Sequence, residues 1–156
     1  MKFFKSDEYQ TKCLEQYEYY RSEVLKLLPT ARVEHIGASS IPGLISKGDL
    51  DIFIGVEVSE ISNSILTLEQ LGFEEKLNTL RTNELCMMES LSSDVSFQIV
   101  SNGSEFESFL HFRDKLRAAP ELVSEYNELK RRCTGFSQTD YRKVKSKFIT
   151  RVLDAV

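Results

Sequence analysis

The segment from Leu50 to Val56 constrains the fold more than any other part of the chain. Successive side chains of a β-strand point to opposite faces of the sheet. In that geometry a core must cover the face that carries the aliphatic residues Leu50, Ile52, Ile54 and Val56. The opposite face carries Asp49, Asp51 and Phe53. The pattern therefore predicts a central strand whose buried backbone holds two carboxylates in fixed positions.

Helical patterns surround this strand. Apolar residues recur at steps of three and four from about residue 7 to residue 28, as in an amphipathic helix that ends before Pro29. Residues 31 to 100 contain the β-prone segments, interrupted by a predicted helix with Ser59 as its cap. Helices are predicted over about 104–154 from three start signals, namely Ser104 with Glu107, Pro120, and Ser137 with Asp140. This order predicts an α+β fold.

Length, charge and cysteine content narrow the class of protein. The 156 residues suit one domain over residues 1–156, and a net charge of -4 argues against a binder of duplex DNA. Cys13, Cys86 and Cys133 lie far apart without metal-ligand spacing, which favours reduced thiols. The first residues contain no apolar run as long as a signal peptide or membrane span needs. We therefore expect a cytoplasmic protein; the sequence does not indicate its oligomeric state.

The two aspartates are candidate metal ligands. Residues two apart on a strand have Cα atoms about 6–7 Å apart. Carboxylates at that separation can converge on one hard cation, or on two ions about 3.5–4 Å apart. Asp49 and Asp51 are thus predicted to bind Mg²⁺, and a solvated strand edge is the alternative interpretation.

A turn-rich segment, from His35 to Leu44, precedes the strand. Gly37 lets the backbone approach a ligand closely, and Ser39 and Ser40 add N–H groups and hydroxyls that suit phosphate oxygens. Lys47 follows the turn, where it either contacts a phosphate or Asp49, or is exposed to solvent. The turn and the strand together predict a site at which backbone amides and Mg²⁺ would stabilise the negative charge of a triphosphate.

The residues 35–52, HIGASSIPGLISKGDLDI, resemble the signature of the GrpB family. The resemblance continues through Phe112-Arg113-Asp114, Leu116-Arg117, Pro120, Tyr126 and Leu129-Lys130 to Tyr141, Lys145, Phe148 and Ile149. Because these landmarks cover most of the chain, it is identified as a member of that family. The resemblance implies a nucleotidyltransferase-like mixed β-sheet with an N-terminal helix and a C-terminal helical segment.

The resemblance also implies a function. In nucleotidyltransferases a Gly-Ser turn grips phosphates and an Asp-x-Asp strand binds Mg²⁺. By that likeness Gly37, Ser39 and Ser40 would bind a nucleotide, and Asp49 and Asp51 would be the catalytic, metal-binding pair. The predicted reaction is Mg²⁺-dependent transfer of a nucleotidyl group from a nucleoside triphosphate to an unknown acceptor. The alternative is a catalytically inactive module on the same fold that binds a nucleotide or metabolite.

Three positions depart from the family pattern. Ala38 replaces a serine, whereas Asp49 completes a carboxylate pair that many members lack. Ser96-Phe97-Gln98 replaces a His-x-His pattern near the place of a third carboxylate in many nucleotidyltransferases. The Gln98 side chain can accept a hydrogen bond but is a poor Mg²⁺ ligand. The nearest acids in the sequence are Glu84, Glu89 and Asp94.

Cationic residues complete the predicted nucleotide site. Arg113 and Lys130 fall at family landmarks on the C-terminal helices, where they would neutralise a triphosphate. Surface ion pairs are the alternative for both residues. His35, beside the turn, either contacts a phosphate or exchanges a proton near neutral pH, or it braces the loop as a buried histidine.

Overall fold

A mixed five-stranded sheet forms the centre of the computed structural model, which describes residues 2–155. The strands are β1 (Arg32–Ile36), β2 (Leu50–Val56), β3 (Phe73–Glu75), β4 (Leu85–Ser90) and β5 (Val95–Ser101). Their order across the sheet is β1-β2-β5-β4-β3. Strands β2 and β5 run parallel to each other, and the other neighbouring pairs are antiparallel. The predicted mixed sheet is thus confirmed, including the hairpin formed by β4 and β5.

The two faces of β2 pack as the alternation predicts. Its aliphatic face lies in a core shared with α1 (Ser6–Leu27) and α2 (Ile61–Leu68). On the opposite face, fully buried Phe53 packs in a second cluster with Ile36, Leu85, Val100 and Leu110. Asp51 lies on that second face, which the C-terminal helices cover.

Two predicted helix caps are wrong. The chain enters α2 through a 3-10 turn, Val58–Glu60, and Ser59 lies inside that turn without a capping bond. The Ser104 hydroxyl is buried and has no hydrogen-bond partner within residues 2–155. Glu107 does reach back, but its carboxylate accepts from the Gly103 amide. In both places a 3-10 turn precedes the α-helix, so the hydroxyl is displaced from the capping position.

The C-terminal helices are α3 (Ser108–Ala118), α4 (Pro120–Arg132) and α5 (Gln138–Asp154). Pro120 opens α4 as predicted, and the Ser137 hydroxyl caps α5 by accepting from the Asp140 amide at 3.1 Å. The three helices share a core with the loop between β1 and β2, through Ile41 and Leu44. This packing places them over the sheet face that carries Asp51. No helix within residues 2–155 combines the length and apolarity that crossing a membrane requires.

Candidate active site

The candidate site is a cavity of about 310 Å³ beside the N-terminal end of β2. The loop from β1 to β2 borders it on one side, and α3, α4 and α5 border it on the other. Of the predicted site residues, the cavity is lined by Gly37, Lys47, Asp49, Asp51 and Lys130. The remaining four lie outside its lining: His35, Ser39, Ser40 and Arg113. The structure thus brings the carboxylates, the glycine and two lysines together.

The two carboxylates face the cavity together. The Ser46 hydroxyl donates to Asp49 Oδ1 at 3.3 Å, and the Gln98 amide nitrogen lies 3.4 Å from Asp51 Oδ1. Burial, followed by the nearby negative charge of Asp49, raises the pKa of Asp51 to about 6. The carboxylates of Asp49 and Asp51 therefore repel each other, and a bound cation would relieve that repulsion.

Gly37 brings the loop backbone against the Asp51 side chain. Its φ of +74° is a conformation that residues with a Cβ rarely adopt. A Cβ placed on Gly37 would overlap Asp51 Oδ2 and would lie 3.0 Å from Asp51 Cβ. The close approach of turn and carboxylate therefore requires glycine at this position.

The serine hydroxyls of the turn are bonded within the protein. Ser40 Oγ donates to the Gly37 carbonyl oxygen at 2.6 Å, and Ser39 Oγ lies 2.8 Å from His35 Nε2. Both serines are buried. A role for these hydroxyls at a phosphate remains a prediction, because they would have to exchange their present partners. Of the turn from His35 to Leu44, the residues that line the cavity are Ile36, Gly37, Ala38 and Ile41.

His35 is buried behind the turn. Its ring stacks on Tyr17 with 4.8 Å between ring centroids. Burial, with smaller contributions from the positive charges of Arg117 and Arg113, lowers the pKa of His35 to about 4. These contacts favour the bracing interpretation of a neutral histidine.

His35 should make the protein sensitive to acid. Because its pKa is lower in the folded state than in the unfolded state, the folded state binds fewer protons between about pH 6.5 and pH 4. We expect this residue to remove up to about 3 kcal/mol of unfolding free energy as the pH falls through that window. Denaturant titrations should show a shallower pH dependence for His35→Gln than for the wild type. An unchanged slope in His35→Gln, or the same change in the exposed control His111→Gln, would contradict the assignment.

Side chains from three helices hold the carbonyl oxygens of the loop between β1 and β2. In each bond a side chain donates to a backbone carbonyl oxygen. The donors and acceptors are Arg117 to Ser40 (2.9 Å), Gln10 to Ile41 (2.8 Å), Asn127 to Gly43 (2.9 Å), Tyr9 to Leu44 (2.8 Å) and Lys130 to Ile45 (2.7 Å). Each satisfies a backbone acceptor that has no strand partner. This role was not predictable from the sequence, because the partners lie 31 to 85 residues apart.

The cationic residues differ in their access to the cavity. Lys130 lines it but is only 4% exposed, and its ammonium group lies 4.6 Å from the Tyr126 ring centroid. Burial, followed by the positive charge of Lys145, lowers the pKa of Lys130 to about 7. Arg113 points elsewhere, towards Glu34 (2.9 Å), Asp114 (2.9 Å) and the His35 carbonyl oxygen (3.0 Å). Lys145 lines the cavity together with exposed Lys47.

Apolar side chains form the rest of the lining. Phe109 and Phe112 come from α3, and Ile149 and Leu153 come from α5; all four are half-buried. The α5 residues in the lining, Tyr141, Lys145, Ile149 and Leu153, recur every four positions and so share one helix face. The four-residue spacing of these lining residues is the sequence signal that indicates this wall. A neighbouring stripe on the same helix packs in the core and consists of Tyr141, Val144, Phe148 and Val152.

Among residues 2–155, no third carboxylate joins the pair. Within residues 2–155, no group of three or more His, Cys, Asp or Glu side chains is arranged to hold a metal ion. Glu84, Glu89 and Asp94 do not line the cavity. Gln98 does line it, beside Asp51.

A family model for the GrpB protein matches residues 6–155. The chain belongs to the GrpB family. A UPF0157 protein of Vibrio cholerae is 58% identical to it over 154 residues, which is 98% of this chain and 82% of that relative. The family resemblance of the sequence motifs is thereby confirmed.

Solved structures show the same fold. The crystal structure of the GrpB protein from Enterococcus faecalis superposes on this GrpB-family chain with a TM-score of 0.76, at 23% identity and 97% coverage of both chains. The Cid1 poly(U) polymerase, solved with MgGTP bound, gives a TM-score of 0.56 at 15% identity. That match covers 79% of this chain and 40% of the polymerase. At these identities the likeness shows the fold, which is nucleotidyltransferase-like.

Proposed function

We propose that this GrpB-family protein transfers a nucleotidyl group from a nucleoside triphosphate to an acceptor, with Mg²⁺ held by Asp49 and Asp51. One observation carries the proposal: both carboxylates line a single cavity, against the glycine turn, on a nucleotidyltransferase-like fold. The acceptor is a molecule that offers a nucleophilic group, such as a hydroxyl.

The donor set fits a hard divalent cation. Asp49 and Asp51 supply carboxylate oxygens, the ligand type that Mg²⁺ prefers. Burial first, and the negative charge of Asp49 second, raise the pKa of Asp51, and a bound cation would relieve the repulsion between the two carboxylates. When bound, Mg²⁺ would neutralise phosphate charge.

The chain's own residues have separate roles in this proposal. Gly37 and Ala38 present backbone to the phosphates, and the first amides of the 3-10 turn Ala38–Ser40 have no partner within that turn. Lys47 and Lys145 add positive charge at the cavity. The apolar wall on α3 and α5 excludes water and offers Phe109 and Phe112 to the nucleobase.

The reaction is a displacement at the α-phosphorus. A carboxylate of the pair accepts the proton of the acceptor's hydroxyl group. The hydroxyl oxygen forms a bond to the α-phosphorus while the bond to the bridging oxygen breaks, and pyrophosphate leaves.

Calorimetric titration with each nucleoside triphosphate, with and without Mg²⁺, tests the proposal when a pyrophosphate assay accompanies it. Binding that requires Mg²⁺, together with pyrophosphate release, supports the transferase. Binding without metal dependence favours an inactive binding module instead, which the lack of a third carboxylate within residues 2–155 also supports. Absence of binding would contradict both functions.

Lys145→Met should weaken binding of a triphosphate by roughly tenfold, which corresponds to about 1.4 kcal/mol. The reason is that Lys145 lines the cavity and would lose its attraction for the phosphates. The affinity for the matching nucleoside should change much less. Exposed Lys143 on the same helix gives the matched control, Lys143→Met, which should bind like the wild type. Equal affinities of both variants for the triphosphate would place the phosphates elsewhere.

A further inference from the structure

Ser46 lies in the loop before β2 and contacts one of the two carboxylates directly. Its side chain lines the cavity and is only 2% exposed. The hydroxyl oxygen accepts from the Gly48 amide at 3.1 Å, and the hydroxyl group donates to Asp49 Oδ1 at 3.3 Å. The Tyr9 hydroxyl also lies near Ser46, but it donates its proton to the Leu44 carbonyl oxygen at 2.8 Å. Since the Ser46 oxygen already accepts from an amide, its own proton is available to the carboxylate.

Asp49 depends on such a contact more than Asp51 does. Asp51 lies within β2, where its backbone is paired in register with a residue on each neighbouring strand. Asp49 comes before Leu50, the first residue of the strand, so the strand pairing does not extend to it. It follows Gly48, which has a φ of +92° and therefore lies in a turn. The hydrogen bond from Ser46 is thus what orients the Asp49 carboxylate.

The backbone of Ser46 is held by the segment that precedes α1. The Phe4 amide donates to the Ser46 carbonyl oxygen at 2.6 Å, and the Ser46 amide donates to the Phe4 carbonyl oxygen at 3.0 Å. The Phe4 ring also packs beside Gly48, 3.6 Å from the place where a Cβ would be. Because contacts from outside the loop fix Ser46, its hydroxyl group has a defined position relative to Asp49.

We propose that Ser46 is a positioning residue, which orients the Asp49 carboxylate so that its second oxygen is presented to the divalent cation. The inference rests on the proposed function, in which Asp49 binds that cation. A hydrogen bond to one carboxylate oxygen fixes the orientation of the side chain and leaves the other oxygen for the metal. Removal of such a partner typically lowers metal affinity by about 10- to 100-fold.

Mn²⁺ binding to the purified full-length chain, measured by water-proton relaxation, tests this inference. We expect Ser46→Ala to weaken binding by roughly tenfold or more, because the Asp49 carboxylate would lose its orientation. Ser46→Thr keeps a hydroxyl group and should bind within about threefold of the wild type. Ser108, on α3, is a second serine in the lining of the cavity. Ser108→Ala is therefore the matched control and should bind like the wild type.

The outcomes separate this inference from the proposed function. Wild-type protein that binds no Mn²⁺ would overturn both. Affinities of the wild type and Ser46→Ala within about twofold of each other would overturn the role of Ser46 and leave the proposed function intact. A hydroxyl group that only stabilised the fold would give that result, with a lower free energy of unfolding for Ser46→Ala. Binding by Ser46→Thr as weak as that of Ser46→Ala would also contradict the assignment.

A crystal structure of the wild type with Mn²⁺ covers the case of a variant that does not fold. We expect the metal to bind the Asp49 oxygen that Ser46 does not contact, with the hydrogen bond from Ser46 retained. A metal bound through the oxygen that Ser46 contacts in the metal-free protein, with that hydrogen bond broken, would overturn the inference.

Discussion

Asp51→Asn is expected to reduce nucleotidyl transfer by at least about 100-fold while the protein remains folded. The substitution keeps the shape of the side chain but removes the charge that holds a cation and the group that accepts a proton. Mg²⁺-dependent triphosphate binding, measured by calorimetry, should be lost with it. Asp94→Asn is the control, because Asp94 is an exposed acid outside the cavity and should transfer like the wild type.

The same variant should be more stable than the wild type in the absence of metal. The pKa of Asp51 is raised in the folded state, so its charged form is disfavoured there and the unfavourable contribution is largest above about pH 6. Asp51→Asn removes this contribution, which should raise the Tm at pH 7 in EDTA by roughly 2–4 °C. In the wild type, protonation of Asp51 stabilises the folded state as the pH falls from 6 towards 4. Asp51→Asn should lack this gain in stability. An active variant, or an inactive variant that is unfolded, would contradict this account.

Gly37→Ala should damage both the fold and the site. The new Cβ would meet the Asp51 carboxylate, and alanine is strained at a φ of +74°. We expect a loss of about 1–3 kcal/mol of unfolding free energy from strain and overlap. Displacement of the carboxylate should also weaken Mn²⁺ binding by about tenfold or more.

Gly103→Ala is the matched control for this substitution. Gly103 has a φ of +82°, but no atom lies within 4 Å of the place where its Cβ would be. It should therefore show the backbone cost, about 1 kcal/mol, with wild-type metal affinity. If both variants bound Mn²⁺ like the wild type, the contact between the turn and Asp51 would have no part in the site.

The central strand was predictable because its signal is local. The alternation of aliphatic and polar residues over Leu50–Val56 determines which face enters the core, and the structure has that arrangement. The helix starts at Pro120 and Ser137 were predicted for the same reason. The caps at Ser59 and Ser104 failed because a 3-10 turn displaces the hydroxyl, and sequence spacing does not distinguish the two helix types.

The roles of the distant cationic residues were not predictable from spacing. Arg113 and Lys130 were predicted as equivalent phosphate ligands, whereas Lys130 lines the cavity and Arg113 does not. Arg113 instead bonds Glu34, Asp114 and the His35 carbonyl oxygen. Side-chain direction across tertiary contacts decides such roles, and one sequence does not contain that information.

A crystal structure with Mn²⁺ and a non-hydrolysable nucleoside triphosphate analogue tests the central claim most directly. Anomalous scattering locates the metal independently of any assumption about its ligands. We expect one Mn²⁺ peak within coordination distance of both Asp49 and Asp51, with the phosphates against the turn at Gly37. A metal coordinated by neither carboxylate, or a nucleotide bound outside this cavity, would contradict the proposed function.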